Sequence, residues 1–394
     1  MVNESRNLQV LTNNNHYNEY IITIIANERL ILMDISKIDK NFEIKTPIDE
    51  PDVKWHSVLE EPFDIYGLYR TKEDGIFRRM PKEVAENIHS STTGEINVGV
   101  ANLYTNTSGG RIRFKTDSKY IMLKVEFDRL HLSSHMPEAG VAGFDIHRIE
   151  DGKYIYMKIM MPNMDDNKGY VRKINAMGRM TEYLIGMPLY NNITNLYIGL
   201  SENAKIEHGS EYKIKKPIVY YGSSITQGGC ASRPMNAYQG YISEYFDADY
   251  INLGFSGNAK GEQDMFDYIA SLDMSAFVYD YDWNSSYDEV CKRHIEGYKT
   301  IRAAHPDIPI VMAGFPAYNL GETGGLRREN IQKTYEYALS QGDKKVAMIT
   351  SEDICDGDFK HHCTVDNCHP NDLGFYRMAK SFIEKLEPLF KEGK

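Results

Sequence analysis

The sequence predicts an all-β sandwich or jelly roll over residues 50–212, followed over 213–394 by an α/β domain with a parallel sheet flanked by helices. Three observations lead there. Short stretches with strand-like alternation recur up to about residue 205, separated by turn residues. After Lys213-Ile-Lys-Lys-Pro217, brief apolar strands alternate with helical stretches, the mark of a doubly wound fold. A chain of 394 residues is also long for a single core.

Residues 1–49 read as an N-terminal extension, with Tyr20–Ala26 and Leu30–Met33 as two short strands that could add to the sandwich. Arg111–Thr116 alternates polar and apolar, as does the second half of Tyr120–Phe127, so each is a half-buried strand. Gly143–Arg148, Tyr154–Met161, Thr181–Gly186 and Asn195–Leu200 are further strands. Turns between them fall at Ser108-Gly-Gly110, Asp117-Ser118, Glu150-Asp-Gly152 and Asp165-Asp-Asn-Lys-Gly169.

In the second domain the strands are Ile218–Tyr221, Tyr250–Leu253, Phe277–Tyr279, Ile308–Ala313 and Val346–Ile349. Each is short and apolar, as a parallel strand buried on both faces should be. Helices are expected near 236–247, 262–270, 286–304, 325–341 and 372–387. Four polar segments come after strands and so open on the carboxyl edge of the sheet, where α/β folds bind ligands. They are Gly222-Ser-Ser-Ile-Thr-Gln-Gly228, Asn252-Leu-Gly-Phe-Ser-Gly-Asn258, Asp280-Tyr-Asp-Trp-Asn284 and Asp366-Asn-Cys-His-Pro370. A serine needs a base to be reactive, and His369 is on offer.

These four segments, in this order, resemble the blocks of the SGNH (GDSL-type) hydrolases, whose α/β fold is flavodoxin-like. The resemblance covers about 217–390 and makes Ser224 the nucleophile, with Asp366 and His369 matching the last block. Gly257 matches the oxyanion glycine and Asn284 the oxyanion asparagine. Tyr66-Gly67 and Phe77-Arg-Arg-Met-Pro81 look like the N-terminal domain of two-domain members, several of which are carbohydrate esterases. There are two departures. Ser223 stands where the family has an acid, and Asp282-Trp-Asn-Ser285 replaces Gly-x-Asn-Asp. Ser223 is also the rival nucleophile, and family register favours Ser224.

The resemblance implies acyl transfer through a Ser224–His369–Asp366 triad: attack by the serine, proton transfer by the histidine, orientation by the aspartate. The Ser224 and Gly257 N–H groups and the Asn284 amide would face the oxyanion. Arg233, Asn236 and Trp283 are candidate substrate-binding residues, although helix-start polarity explains the first two equally well and burial the third. Cys230 could line the pocket but has no evident base.

No metal or other cofactor is expected. His361-His-Cys363 with Cys368-His369 could bind zinc, yet the spacing is not that of a finger and a metal on His369 would remove the base. A Cys363–Cys368 disulfide is conceivable in an oxidising setting, whereas five cysteines fit a reducing compartment better. A net charge of −11 argues against nucleic acid and anionic membranes as partners. No run approaches the ~20 apolar residues of a membrane span, and the start Met1-Val-Asn-Glu-Ser-Arg6 is not a signal peptide. The expected location is therefore cytoplasmic, although a secreted chain shorn of its leader would read the same, and a homo-oligomer stays open. The glycosylation-type triplets at Asn106, Asn192 and Asn284 read as chance without a leader.

The expected activity is a serine esterase releasing short acyl groups, first of all acetyl, from carbohydrate hydroxyls. The 28 tyrosines suit sugar stacking, but also ordinary strand faces. The alternatives are a lipid or thioester acyl hydrolase, which needs an extended apolar groove, and a non-catalytic carbohydrate-binding protein, which needs no triad.

Overall fold

The structure, a computed structural model, describes residues 50–391 apart from 70–74, 164–165, 315–320 and 356, with the side chains of 321–324 and 355 also undescribed. The strands expected at Tyr20–Ala26 and Leu30–Met33 lie outside the described residues.

Two antiparallel sheets form the sandwich. One has the order β1-β9-β4-β7, from Val53–Ser57, Asn195–Ser201, Tyr120–Glu126 and Gly169–Asn175. The other has the order β10-β3-β8-β5-β6, from Ile206–His208, Arg111–Thr116, Thr181–Gly186, Phe144–Glu150 and Lys153–Met160, with β2 (Asp64–Tyr66) also on β3. Their inner faces meet in one core, where Ile121, Leu123 and Val125 of β4 join Ile112 and Phe114 of β3 and Tyr183 and Ile185 of β8. The period of two in β4 is the sequence alternation turned into an inside and an outside.

The sandwich is thus present as expected, and among the described residues its connections also hold three short helices, α1 (Lys82–Ala85), α2 (Val98–Leu103) and α3 (Glu138–Ala142). Pro81 and Pro137 stand at the first and third N-caps, and the Asn97 side chain accepts from Val100 N at the second. Residues of the first two helical segments, Met80, Ala85, Ile88, Val100 and Tyr104, pack into a core of the α/β domain.

The α/β sheet is wholly parallel with the order β12-β11-β13-β14-β15, from Ala248–Gly254, Ile214–Gly222, Ala276–Asp280, Ile310–Ala313 and Val346–Ile349. Each strand feeds two cores. Ile218 and Tyr220 pack with helices α5 (Tyr238–Phe246) and α10 (Asp372–Lys391), while Val219 and Tyr221 pack with α6 (Gln263–Ala270) and α7 (Tyr287–Ala304). The same alternation runs through Phe277/Val278 and Ile310/Val311. Burying one such side chain stabilises the fold by ~1.5–3 kcal/mol, which is why these strands are apolar throughout. Helix α8 (Gly321–Ser340) covers the α6–α7 side, and α9 (Ser351–Cys355) comes after β15. No helix among the described residues is long and apolar enough to cross a membrane.

Strand β11 lies between β12 and β13, the point where strand order reverses. The loops after these two strands therefore flank the segment at the carboxyl end of β11.

Candidate active site

Ser224 comes directly after β11. The strand ends at Gly222, Ser223 caps with its side chain accepting from Ile225 N at 3.1 Å, and α4 (Ser224–Gln227) makes one turn. Ser223 thus occupies its hydroxyl in the cap, a role an aspartate fills equally well. That accounts locally for the exchange of acid for serine. The turn stops at Gly228, φ +101°. At Gly229 a β-carbon would stand 3.0 Å from both Ser224 O and Tyr190 Oη and 3.3 Å from His369 Cδ2, so glycine keeps this approach open.

Asp366 and His369 sit on a tight hairpin closed by a bridge between Thr364 and Pro370 and by Val365 N donating to His369 O at 2.9 Å. Asn367 turns the loop with φ +64°, a conformation asparagine tolerates better than most residues. Ser224 Oγ is 2.8 Å from His369 Nε2, and His369 Nδ1 is 2.8 Å from Asp366 Oδ2. The other Asp366 oxygen accepts from His369 N at 2.7 Å and Cys368 N at 3.1 Å. Burial alone would raise the Asp366 carboxyl; the His369 N–H and ring, with the Cys368 N–H, outweigh it and hold it below its ordinary value.

Residues 215–387 match the GDSL-like lipase/acylhydrolase family, and residues 53–206 match the N-terminus of SGNH-hydrolase-type esterases. The chain belongs to the SGNH hydrolases. No curated protein matches by sequence. Among solved structures, a protein described as a GDSL-like lipase from Bacteroides ovatus is 28% identical with a TM-score of 0.74, over 86% of this chain and 98% of its own. The salicylyl-acyltransferase SsfX3 of a tetracycline biosynthetic pathway has a TM-score of 0.69 at 17% identity, over 87% and 99%. An acetyl xylan esterase from the rumen bacterium Butyrivibrio proteoclasticus has 0.53 at 13%, over 86% and 99%. The last two share the fold. Family membership makes this SGNH hydrolase an acyl ester hydrolase.

The other expected site residues are spread around this centre. Gly257 lies in the loop after β12 with φ +69°. Asn284 lies beyond β13; its N donates to Tyr281 O at 3.2 Å, and its Oδ1 is buried without a hydrogen-bond partner. Trp283 is half-buried against the α5–α10 core, with the Arg327 guanidinium 5.2 Å from its ring. Arg233 is turned onto the sandwich: it donates to Asp145 Oδ2 at 3.0 Å, approaches His147 Nε2 at 2.8 Å and lies over Tyr156 at 4.2 Å. Asn236 donates to Asp372 Oδ2 at 2.8 Å and Ser232 Oγ at 3.1 Å. What the structure gives Arg233 and Asn236 is protein partners that hold the loop after α4. Asp280 accepts from Tyr238 Oη at 3.2 Å, and burial, with Asp282 beside it, pushes its carboxyl well above the ordinary range.

Cys230 is 3% exposed, and burial pushes its thiol up to about 12, so it is not activated as a nucleophile on its own. The Cys363–Cys368 disulfide does not form: both are free, and the buried Cys363 points its thiol at Phe359 O.

The contacts that brace this site from the sandwich side are not legible in sequence, although Arg79 and Gln227 stand within the segments that carry the family resemblance. Tyr190 Oη donates to Ser224 O at 3.1 Å, and Ser108 Oγ to Gln227 O at 2.6 Å. Gln227, fully buried, donates to Asn106 Oδ1 at 3.0 Å and accepts from Ser256 N at 3.0 Å, so it couples the sandwich to the loop bearing Gly257. Asn97 donates to Asn258 O at 2.9 Å. Arg79, 0% exposed, donates to Asn252 O at 3.3 Å, to Leu103 O at 2.6 Å and to Gly254 O, with Phe255 against its guanidinium at 4.6 Å. Burial without a carboxylate partner draws its pKa down to about 9.

Removing Arg79 leaves three carbonyls without their donor. Arg79→Met should lower stability by ~2–4 kcal/mol, since bonds from a charged donor are worth ~1.5–3 kcal/mol each and relief of the desolvated charge offsets part of the loss. Urea denaturation monitored by circular dichroism reads this directly. A loss under ~1 kcal/mol would mean that water or neighbours replace the guanidinium.

Proposed function

We propose that this SGNH hydrolase is a serine esterase that removes short acyl groups, acetyl first, from carbohydrate hydroxyls through an acyl-enzyme on Ser224. The observation that carries the reading is the unbroken chain of contacts from Ser224 Oγ to His369 Nε2 and from His369 Nδ1 to Asp366, each 2.8 Å. In this reading His369 accepts the serine proton as Oγ attacks the ester carbonyl, then returns it to the leaving alcohol. Water repeats the cycle on the acyl-enzyme. Asp366 keeps Nδ1 protonated and stabilises the imidazolium. The Ser224 and Gly257 N–H groups and the Asn284 amide are assigned to the developing oxyanion.

Asn284→Ala then lowers kcat by ~10²–10³ with KM little changed, the usual consequence of losing one oxyanion donor. An unchanged kcat removes Asn284 from the oxyanion hole.

Support for a carbohydrate alcohol comes from the family's sandwich-bearing members and from the fold shared with an acetyl xylan esterase. Support for a short acyl group comes from a sequence without an amphipathic lid or long apolar loop. The test is acetate release from a panel of acetylated oligosaccharides beside a 4-nitrophenyl ester series from acetate to octanoate. Faster cleavage of octanoate than of acetate would refute the acetylesterase reading.

A further inference from the structure

Three metal-type donors from three distant stretches of chain meet around the imidazole of His369. A ring nitrogen of His135, the Cys230 sulfur and a ring nitrogen of His369 lie within 4.8 Å of one another. His135 comes from the sandwich loop between β4 and α3, Cys230 from the loop after α4, and His369 from the hairpin before α10. The two imidazole rings are 5.5 Å apart between centroids, tilted by 50°.

Both rings are already held in the way metal-binding histidines are held. Ser133 Oγ lies 3.2 Å from His135 Nδ1, and Asp366 Oδ2 lies 2.8 Å from His369 Nδ1. The Asp366 carboxylate can only accept, so it favours the His369 tautomer that offers Nε2 to a metal, and the Ser133 hydroxyl can accept from His135 Nδ1 to the same end. Cys230 adopts φ +73°, unusual for a residue with a side chain, and its sulfur rests 3.5 Å from His135 O. The backbone thus fixes the sulfur against the loop that carries His135. Two imidazole nitrogens and a thiolate, with a fourth position open, suit tetrahedral Zn²⁺; hard cations such as Mg²⁺ and Ca²⁺ prefer oxygen.

We propose that His135, Cys230 and His369 bind one Zn²⁺ and that this switches the hydrolase off reversibly. The metal takes Nε2 of His369, the Cys230 thiol proton leaves to solvent, and Ser224 Oγ loses its proton acceptor. A second grouping, Asp366, Cys368 and His369, also falls within 4.8 Å. It is the poorer site, because its carboxylate already accepts from His369 Nδ1 and a metal would break that bond.

Zinc is titrated into the purified chain against a chromogenic chelator, and Co²⁺ is bound in parallel to read thiolate ligation by its near-ultraviolet charge-transfer band. Expected are one strong zinc per chain, a cobalt–thiolate band, and inhibition that a chelator reverses. His135→Ala, an exposed position, and Cys230→Ser each weaken zinc binding by on the order of 100-fold, and Cys230→Ser also abolishes the band. Ser133→Ala, which removes only an outer partner, weakens binding about tenfold. Cys368→Ser leaves both readouts unchanged. Circular dichroism verifies that each variant folds. Wild-type zinc affinity in His135→Ala, or a band lost in Cys368→Ser and kept in Cys230→Ser, overturns the proposal. Binding and the band are read without substrate. A chain that binds zinc and cleaves no ester therefore refutes the esterase reading alone, and a chain that cleaves esters but binds no zinc here refutes only this proposal.

Discussion

A Ser224→Ala chain should lose kcat by a factor on the order of 10⁶, keep its fold, and no longer react with a fluorophosphonate probe. The size comes from the chemistry. Without Oγ there is no acyl-enzyme, and the remaining donors can only assist water. Ser223→Ala is the control that gives the result its meaning. Ser223 Oγ accepts from Ile225 N at 3.1 Å, whereas Ser224 Oγ stands 2.8 Å from His369 Nε2. Losing the cap costs about 1 kcal/mol of stability and leaves the labelled serine in place. If instead Ser223→Ala abolishes labelling and Ser224→Ala does not, the two hydroxyls have exchanged roles and the family register is wrong for this chain.

That contrast between neighbouring serines is visible in the sequence only as a choice of register. The strands around them are easier to read. Val219 and Tyr221 enter one core while Ile218 and Tyr220 enter the other, so a buried parallel strand appears as an uninterrupted apolar run. The sandwich is harder. Strand β7 escapes sequence pattern because only Tyr170 and Ile174 are buried in it; Val171 is 36% exposed and Arg172-Lys173 come next, as befits an edge strand. The short helices α1 to α3 carry too few turns to show a period and announce themselves only by Pro81, Asn97 and Pro137. Asp366 and His369 are legible because one hairpin holds both. Arg79, Gln227 and His135 are not, because their partners lie on distant loops: the contacts of Arg79 with Asn252 and of Gln227 with Asn106 span more than 100 positions. Sequence pattern reports local geometry, and these contacts are made only when the sandwich closes on the α/β sheet.

The sandwich is therefore more than an appendage to the chemistry. Tyr190 and Ser108 grip the turn bearing Ser224, Asn97 grips the loop bearing Gly257, and Arg79 grips the end of β12 that leads into that loop. These contacts fix backbone carbonyls, and so fix where the adjoining N–H groups point. A proposed oxyanion hole made of main-chain donors gains its preorganisation in this way.

The second large effect belongs to Asp366. Asp366→Asn should lower kcat by about 10⁴ with KM nearly unchanged. The asparagine oxygen would keep accepting from the N–H groups of Cys368 and His369, which turns its amide nitrogen towards His369 Nδ1. Nδ1 then serves as acceptor, the ring proton moves to Nε2, and Nε2 can no longer take the proton of Ser224. The pH dependence carries its own signature. The Asp366 carboxyl lies below its ordinary value of 3.8, so its charge is complete above that pH and is lost only as pH falls through the lower folded value. Whatever stability the ionised carboxylate adds is therefore constant from neutrality down to about pH 4 and disappears below it. Denaturation midpoints of wild type and Asp366→Asn should run parallel across the neutral range and converge only in strong acid. Convergence already between pH 5 and 6 would show that the carboxyl titrates higher than these hydrogen bonds permit, and an Asp366→Asn chain with undiminished kcat would remove the aspartate from the triad.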